Sequence, residues 1–489
     1  MLNNKILKIL GMLLCFLAFS MLPSVLWSLY YNETEVLISF FYSISITLFL
    51  SLLVYLSSYF FSENINDVSS VDAFTIVTIG WLLIGLFGSL PFYFSQNSLS
   101  FVDCYFESMS GFTTTGATIF GENSLKIESL GYGLLFWRSF TQFLGGMGII
   151  VFSIALLPLL GIGGVQLFRA EVAGPTADKI TPRIKQTAKL LWSIYITFTI
   201  LETILLYFFG MSFFDSLCHS FSTVSTGGFS THSNSIAYFN SSLIEWTIIL
   251  FMFISATNFT LHYIFLGKFK FKYYKDEEFK FYAFLFLAIT VIISFNLIIN
   301  SVYLSSFEGI RHAAFTTVSL LSTTGFTTEN FEVWPNLSIA LCFFLFFIGA
   351  SAGSTTGGIK IIRTLVIFKY IYFEIKRLIH PNVVYNIKIG KKIINEDIIK
   401  NTLGFYLFYI MIFVIFTVFI SFYNIDLISA MSISASSIGN IGPGLGSIGP
   451  YDNWGHLPNA VKIISTFCML LGRLEIFTVM VLISRIFFK

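Results

Sequence analysis

Long apolar stretches alternate along the chain with short polar clusters. Many of the apolar stretches reach the twenty or so residues needed to cross a bilayer core. Ten of them are predicted as helices, over approximately 9–30, 36–60, 71–95, 132–160, 187–210, 243–266, 279–303, 337–372, 398–422 and 458–487. The eighth is too long for one straight crossing and is interrupted by GASAGSTTGG (349–358). The first begins after Lys5 and Lys8 in the manner of a secretory signal. It runs on to Tyr30 without a small-residue cleavage site and is followed by further spans, so it is read as a retained helix.

Composition agrees with the pattern. Of 489 residues, 55% are hydrophobic and only 11% charged, against roughly 25% charged in soluble chains. A soluble enzyme is thereby excluded, and the fold class is an all-α polytopic membrane protein. A net charge of +2 supplies no field suited to nucleic acid. The five cysteines are scattered and odd in number, and the six histidines form no metal-binding spacing. Lys and Arg then test the span count. Ten crossings place 23 of the 28 basic residues on the side of the N-terminus, from Lys5 and Lys8 through Arg169–Lys189, Lys268–Lys280 and Lys360–Lys400 to Arg485 and Lys489. Little beyond Lys126 and Arg311 falls opposite. Positive charge is retained in the cytoplasm, so both termini are expected there, in a multi-pass protein of the lipid bilayer.

Four segments are too polar to span and too apolar for ordinary loops: FVDCYFESMSGFTTTGAT (101–118), FFDSLCHSFSTVSTGGFST (213–231), FEGIRHAAFTTVSLLSTTGFTT (307–328) and IDLISAMSISASSIGNIGPG (425–444). Each opens on an acid (Asp103, Asp215, Glu308, Asp426), continues as a short amphipathic stretch and ends in hydroxyl residues around a glycine. The aligned glycines are Gly116, Gly227, Gly325 and Gly439. A recurring period defines the architecture. Two N-terminal helices (1–66) precede four units of helix, short helix, loop and helix, at 67–180, 181–272, 273–392 and 393–489.

A carboxylate at the start of each short helix suits its N-terminus, and the other end then points its negative pole into the membrane. Irregular backbone at that depth survives only inside protein or along a watery path. Four such loops meeting on an axis have the geometry of a cation pore. Rings of backbone carbonyls can replace a cation's water shell, and glycine allows the turns this needs. The filter is placed at Thr114, Thr115 and Gly116, at Ser225, Thr226 and Gly227, at Thr323, Thr324 and Gly325, and at Ile438, Gly439 and Asn440. Thr114, Thr115, Thr226, Thr323, Thr324, Ile438 and Gly439 are the expected contacts for the ion. One such tripeptide alone reads as a surface turn; four in register do not.

With these motifs in hand, the chain resembles the Trk/Ktr/HKT superfamily of potassium transporters, and specifically its TrkH branch. The resemblance rests on TTTGAT (113–118), VSTGGFST (224–231), LSTTGFTT (321–328), SIGNIGPGLG (437–446), WRSFTQFLGGMGI (137–149), GASAGSTTGGIK (349–360) and GRLEIFT (472–478). The two extra N-terminal helices favour TrkH over eight-helix KtrB-like members. The resemblance implies four pseudo-repeats around one pore, potassium as the transported ion, a homodimer, a bacterial inner-membrane location, and a cytosolic nucleotide-binding partner of the TrkA type. In that family a serine at the first filter glycine goes with sodium permeation, so Gly116 predicts potassium selectivity. Two departures are expected: Ile438 stands where the other loops have Thr115, Thr226 and Thr324, and the third short helix is longer.

Within the eighth span, Gly349, Gly353, Ser354, Thr355, Thr356, Gly357 and Gly358 fit either a small-residue packing face or a broken helix that obstructs the pore. The resemblance supports the second. Arg473, mid-span in the last helix, either pairs with Glu475 or places a cation below the filter; the resemblance points to the latter, and Arg473 joins the gate. A buried charge needs such a partner or cavity. Arg138 and Glu202 are expected in structural pairs, and His219 and His312 as hydrogen-bonded residues of the short helices. Three activities compete: a gated, channel-like potassium pore driven by membrane potential, a transporter coupling potassium to sodium or protons, and a lipid enzyme. No acid flanks the four glycines, which favours the first over the second, although Glu107 and Glu475 keep the second open. The dispersed histidines and missing acid–base pair disfavour the third.

Overall fold

The computed structural model describes residues 4–58, 70–95, 99–121, 124–148, 184–268, 272–380, 387–390, 392–480 and 482. The far end of the predicted fourth span, most of the tail of the tenth, the unit boundaries near 66 and 180, and Arg169, Lys179, Arg183, Lys270, Lys391, Arg485 and Lys489 lie outside these residues.

The N-terminal pair is α1 (Asn4–Ser20) continued by α2 (Leu22–Tyr30), and α3 (Thr34–Ser57). Each later unit repeats one plan. The first has α4 (Ser70–Gly88) and α5 (Leu90–Ser95), the short α6 (Phe101–Phe112), a loop, and α7 (Tyr132–Phe143). The second has α8 (Ile184–Phe208), the short α9 (Phe213–Val224), and α10 (Ser242–Ser255) with α11 (Phe259–Lys268). The third has α12 (Glu277–Ile299), the short α13 (Ser306–Leu321), α14 (Asn336–Leu345) and α15 (Ile361–Ile379). A two-residue hairpin, β1 (Lys388–Ile389) against β2 (Lys392–Ile393), leads into the fourth: α16 (Glu396–Ser421), the short α17 (Leu427–Gly439) and α18 (Asn459–Arg473).

Burial explains which helices face lipid. α12 exposes Phe284, Leu287, Val291 and Phe295, and α16 exposes Leu407, Val414 and Val418. In water such faces would be driven together; in a bilayer they meet hydrocarbon. The short helices are the reverse. Phe106, Met109 and Phe112 of α6 are wholly buried, and so are Ser216, Ser220, Ser222 and Thr223 of α9. The hydroxyls of Ser216, Ser220 and Thr223 are satisfied by bonding one turn back, to Ser212 O at 2.8 Å, Ser216 O at 2.7 Å and His219 O at 2.8 Å. That is why these segments look too polar to span and yet sit at the centre.

Six described helical stretches are long and apolar enough to cross a membrane. The second helix of each unit is instead interrupted. α7 loosens into a π-helical turn at Leu144–Gly148, and α10 and α11 meet at 99°. A loop of fifteen residues separates α14 from α15 as expected, and α18 ends in a turn where Glu475 and Ile476 take positive φ. The sequence pattern predicts one such break; there are four.

Candidate functional site: a ring of four loops and the plug beneath it

The short helices are capped from their own sequence. In α6 and α9, Ser100 and Ser212 are the N-caps, and Asp103 and Asp215, three residues on, accept from the capping hydroxyls at 2.7 Å. In α17 the acid itself is the cap, with Asp426 Oδ2 accepting from Ser429 N at 3.0 Å. Glu308 lies in the first turn of α13, which has 16 residues against 12 or 13 in the others.

At the inner end of each short helix one residue adopts the left-handed conformation: Thr114 (φ 52°), Thr226 (56°), Thr323 (54°) and Asn440 (54°). Two residues later comes a glycine with positive φ: Gly116 (78°), Gly228 (80°), Gly325 (82°) and Gly442 (99°). These four close a ring. A methyl group on Gly116 would strike Gly227 O, one on Gly228 would strike Thr324 O, one on Gly325 would strike Ile441 O, and one on Gly442 would strike Thr115 O. Each loop thus lies against the carbonyl just before the next loop's glycine, and the fourth returns to the first.

This geometry corrects the register expected from sequence. Gly228 and Gly442, not Gly227 and Gly439, occupy the positions of Gly116 and Gly325. In the second loop two glycines are adjacent and only Gly228 takes positive φ. In the fourth, Asp426 is an N-cap whereas Asp103 and Asp215 sit three residues inside theirs, so alignment on the acids displaces the loop by three. Ile438 and Gly439 therefore belong to the end of α17, and Ile441 stands opposite Thr115, Gly227 and Thr324. The hydroxyls of Thr115 and Thr324 are turned into their own loops, 2.8 Å from Thr113 Oγ1 and 2.7 Å from Ser322 Oγ. Asn440 Nδ2 reaches Thr115 Oγ1 at 3.0 Å. Thr323 Oγ1 accepts from Gly357 N at 2.8 Å.

Outside the ring a vestibule is lined by all four glycines together with Arg138, His232, Asp452 and Trp454. Its rim is tied across unit boundaries. Ser233 N and Oγ donate to Glu128 at 2.7 Å each, Arg311 pairs with Glu245 at 2.9 Å, Gly446 N donates to Glu332 at 2.6 Å, and Lys462 pairs with Asp103 at 2.5 Å. Burial works to raise the Asp215 carboxyl, but the neighbouring His232, Thr231 and Ser212 hold it well below the usual carboxylate range. The pairing expected for Arg138 is present, with Glu107 at 2.8 Å. That expected for Glu202 is not: this carboxyl is fully buried and finds no basic partner among the described residues. His219 bonds Asp215 O and Ser230 Oγ, and His312 bonds Thr328 Oγ1.

Beneath the ring lies the loop between α14 and α15. Gly357 is packed so closely under α17 that a Cβ would come within 2.6 Å of Gly439 O. Thr355 Oγ1 donates to Val224 O at 3.1 Å, which fastens the loop under the second unit. Lys360, buried, donates to Thr356 O and Oγ1, and Ala352 N donates to Glu278 at 2.6 Å. Gly349, Gly353, Ser354, Thr355, Thr356, Gly357 and Gly358 thus form one non-helical segment across the axis. Arg473 donates to Thr355 O at 2.9 Å and to Gly145 O and Gly146 O at 2.7 and 2.9 Å. Of the two readings of Arg473, the Glu475 pair is not among the described ion pairs, and Glu475 pairs with Arg363 at 2.5 Å. The sequence reading passed over Gly228 and Gly442, and also Gln142, which clamps Gly227 O at 2.7 Å and Phe229 N at 3.0 Å. A hydroxyl or amide followed by glycine at +2 fits both glycines, but Ser225–Gly227 and Ser437–Gly439 fit it too, so this spacing does not separate the two registers.

These features define a class: a helical polytopic membrane protein whose four re-entrant loops close on one axis above a fifth, non-helical segment. The family model for cation transport proteins, TrkH, matches residues 41–487. The chain belongs to the TrkH family, and it is a transporter rather than an enzyme. It is 39% identical over 491 residues, 99% of each chain, to the Trk system potassium uptake protein TrkH of Vibrio parahaemolyticus. It is 40% identical over 427 residues, 87% of each chain, to the TrkH of Escherichia coli K12. To the same organism's TrkG it is 33% identical, covering 98% of this chain and 97% of that one. The crystal structure of the potassium transporter TrkH from Vibrio parahaemolyticus aligns over 100% of both chains with a TM-score of 0.88 at 36% identity.

Proposed function

We propose that this protein takes up potassium across the bacterial cytoplasmic membrane, through a selective, gated pore driven by the membrane potential. The observation that carries this reading is the closed ring, in which four glycine loops each rest on the preceding carbonyl of the next. Four short helices end at that ring, and their C-terminal poles favour a cation there. Backbone carbonyls, rather than the Thr115 and Thr324 hydroxyls already engaged in their own loops, supply the ligands. The 349–360 loop is the gate and Arg473 its latch. The names of the relatives, Trk system potassium uptake proteins, agree with this substrate. Membrane potential supplies about 2.3 kcal/mol per charge per 100 mV, a gradient on the order of 50-fold without a coupling ion. An open pore would dissipate that potential, which is the need a gate meets. A homodimer with cytoplasmic termini and a TrkA-type nucleotide-binding partner completes the proposal, on the resemblance and the basic side of the chain.

The test is monovalent cation flux into liposomes under an imposed voltage, with Gly116→Ser alongside. Potassium and rubidium should enter, sodium should not, and the substitution should admit sodium. Potassium entry only with a sodium or proton gradient would replace this reading with a coupled transporter.

A further inference from the structure

Arg138 is the one guanidinium among the vestibule-lining residues, and its side chain is 1% exposed. It is bonded in three directions. Nε donates to Glu107 Oε1 at 2.8 Å, Nη2 to Thr118 Oγ1 at 3.1 Å, and Nη1 to Ser230 O at 2.9 Å. Thr118 and Ser230 each lie two residues beyond a ring glycine, Gly116 in the first loop and Gly228 in the second. Glu107 also accepts from Thr118 Oγ1 and Ile119 N, both at 2.9 Å. One side chain from α7 therefore joins a short helix, the outgoing strand of its own loop and the outgoing strand of the next. Phe229 and Phe120 cover the guanidinium, with ring centroids 4.3 and 5.5 Å away.

The other seams are joined differently at this level. Thr327 N reaches Ser235 Oγ at 3.3 Å and Thr327 Oγ1 reaches Pro450 O at 3.4 Å, while Trp454 N donates to Thr118 O at 2.8 Å. At this level these bonds are neutral and two of them are long; the charged pairs of those seams, Arg311–Glu245 and Lys462–Asp103, lie on the rim. Charge-assisted bonds are stronger and geometrically stricter, and a planar fork fixes directions that a lysine ammonium does not.

We propose that Arg138 is a positioning residue for ion selectivity: held by Glu107, it sets the spacing between the first and second filter strands. This rests on the reading of the ring as the filter. It does not require Arg138 to touch the ion, whose ligands lie on the strands it spaces. Glu107 has the second duty of cancelling a positive charge that would otherwise face entering cations.

The experiment is the ratio of potassium to sodium flux in liposomes for Arg138→Lys, Thr118→Val and Gly116→Ser against the parent protein, with melting temperature recorded for each. The ratio is taken per preparation, so it does not depend on how much protein folds. Arg138→Lys keeps the charge and loses the fork, and should lower the ratio roughly tenfold, the size of one charged hydrogen bond. Thr118→Val keeps the Arg138–Glu107 pair and removes only the shared hydroxyl, so it folds if Arg138→Lys does not, and should lower the ratio less. A lower melting temperature with the ratio unchanged in both variants, while Gly116→Ser lowers it, would make the pair scaffold alone and overturn the proposal. If Gly116→Ser also leaves the ratio unchanged, the filter reading fails and the proposal falls with it.

Discussion

Each loop of the ring turns through two left-handed residues in three, a threonine or asparagine and then a glycine. The first costs on the order of 1 kcal/mol for a residue with a Cβ. It is tolerated because the site over-determines it: Asn440 Nδ2 donates hydrogen bonds to Met469 O at 2.9 Å and to Thr115 Oγ1 at 3.0 Å. The glycine has no such latitude, since any side chain would meet the next loop's carbonyl. Gly228→Ser is therefore expected to damage potassium selectivity as much as Gly116→Ser is expected to. Gly227→Ser, whose new atom meets the flexible end of Gln142, should change it several-fold less, on the order of the 1.4 kcal/mol that separates tenfold effects. Flux ratios for the two serine variants side by side decide the register; a larger effect at Gly227 would overturn it. At this scale the sequence shows that four glycine turns exist, because hydroxyl-rich stretches after an acid recur. It does not show which glycine turns, because the acid serves as cap in one unit and as third residue in two others.

The elements explain why the centre is both open and closed. Four short helices give their C-termini to the ring, and four second helices break at that level instead of passing by. The breaks at 144–148 and 349–360 are written in glycines. The turn at Ala256–Asn258 and the one after Arg473 use ordinary residues, so no composition signal announces them, and tertiary packing selects them. Arg473 connects three of these breaks through Thr355 O, Gly145 O and Gly146 O. Removing the guanidinium leaves those carbonyls without their charged donor at a site where water is the only substitute. Arg473→Gln is expected to raise potassium flux in the absence of any partner protein by roughly tenfold, the worth of one or more charged hydrogen bonds. Rubidium uptake into liposomes reads this directly; flux at or below the parent level would mean that the latch lies elsewhere.

For the whole molecule, the demanding step is closure, because the first and fourth units are joined across most of the chain's length. Lys462, at the start of α18 and 3% exposed, reaches Asp103 across 359 residues. The same ammonium donates to Gly455 O at 2.7 Å, and Trp454 Nε1 caps Gly442 O at 3.3 Å beside it. A buried pair is weak evidence for net stability, but breaking one side of it is costly, about 3 kcal/mol, because the other charge stays buried. Lys462→Met and Asp103→Asn should therefore each lower the melting temperature in detergent. The double variant should melt above Lys462→Met, since the stranded carboxylate is gone. Large membrane proteins often unfold irreversibly, so the order of melting temperatures is the quantity to compare. If the double variant melts at or below Lys462→Met, the two residues are not coupled, and closure rests on the Trp454 segment instead. A ring held by that coupling has a further consequence. Lys462→Met should loosen the seam between Gly442 and Thr115, and potassium selectivity should fall along with stability.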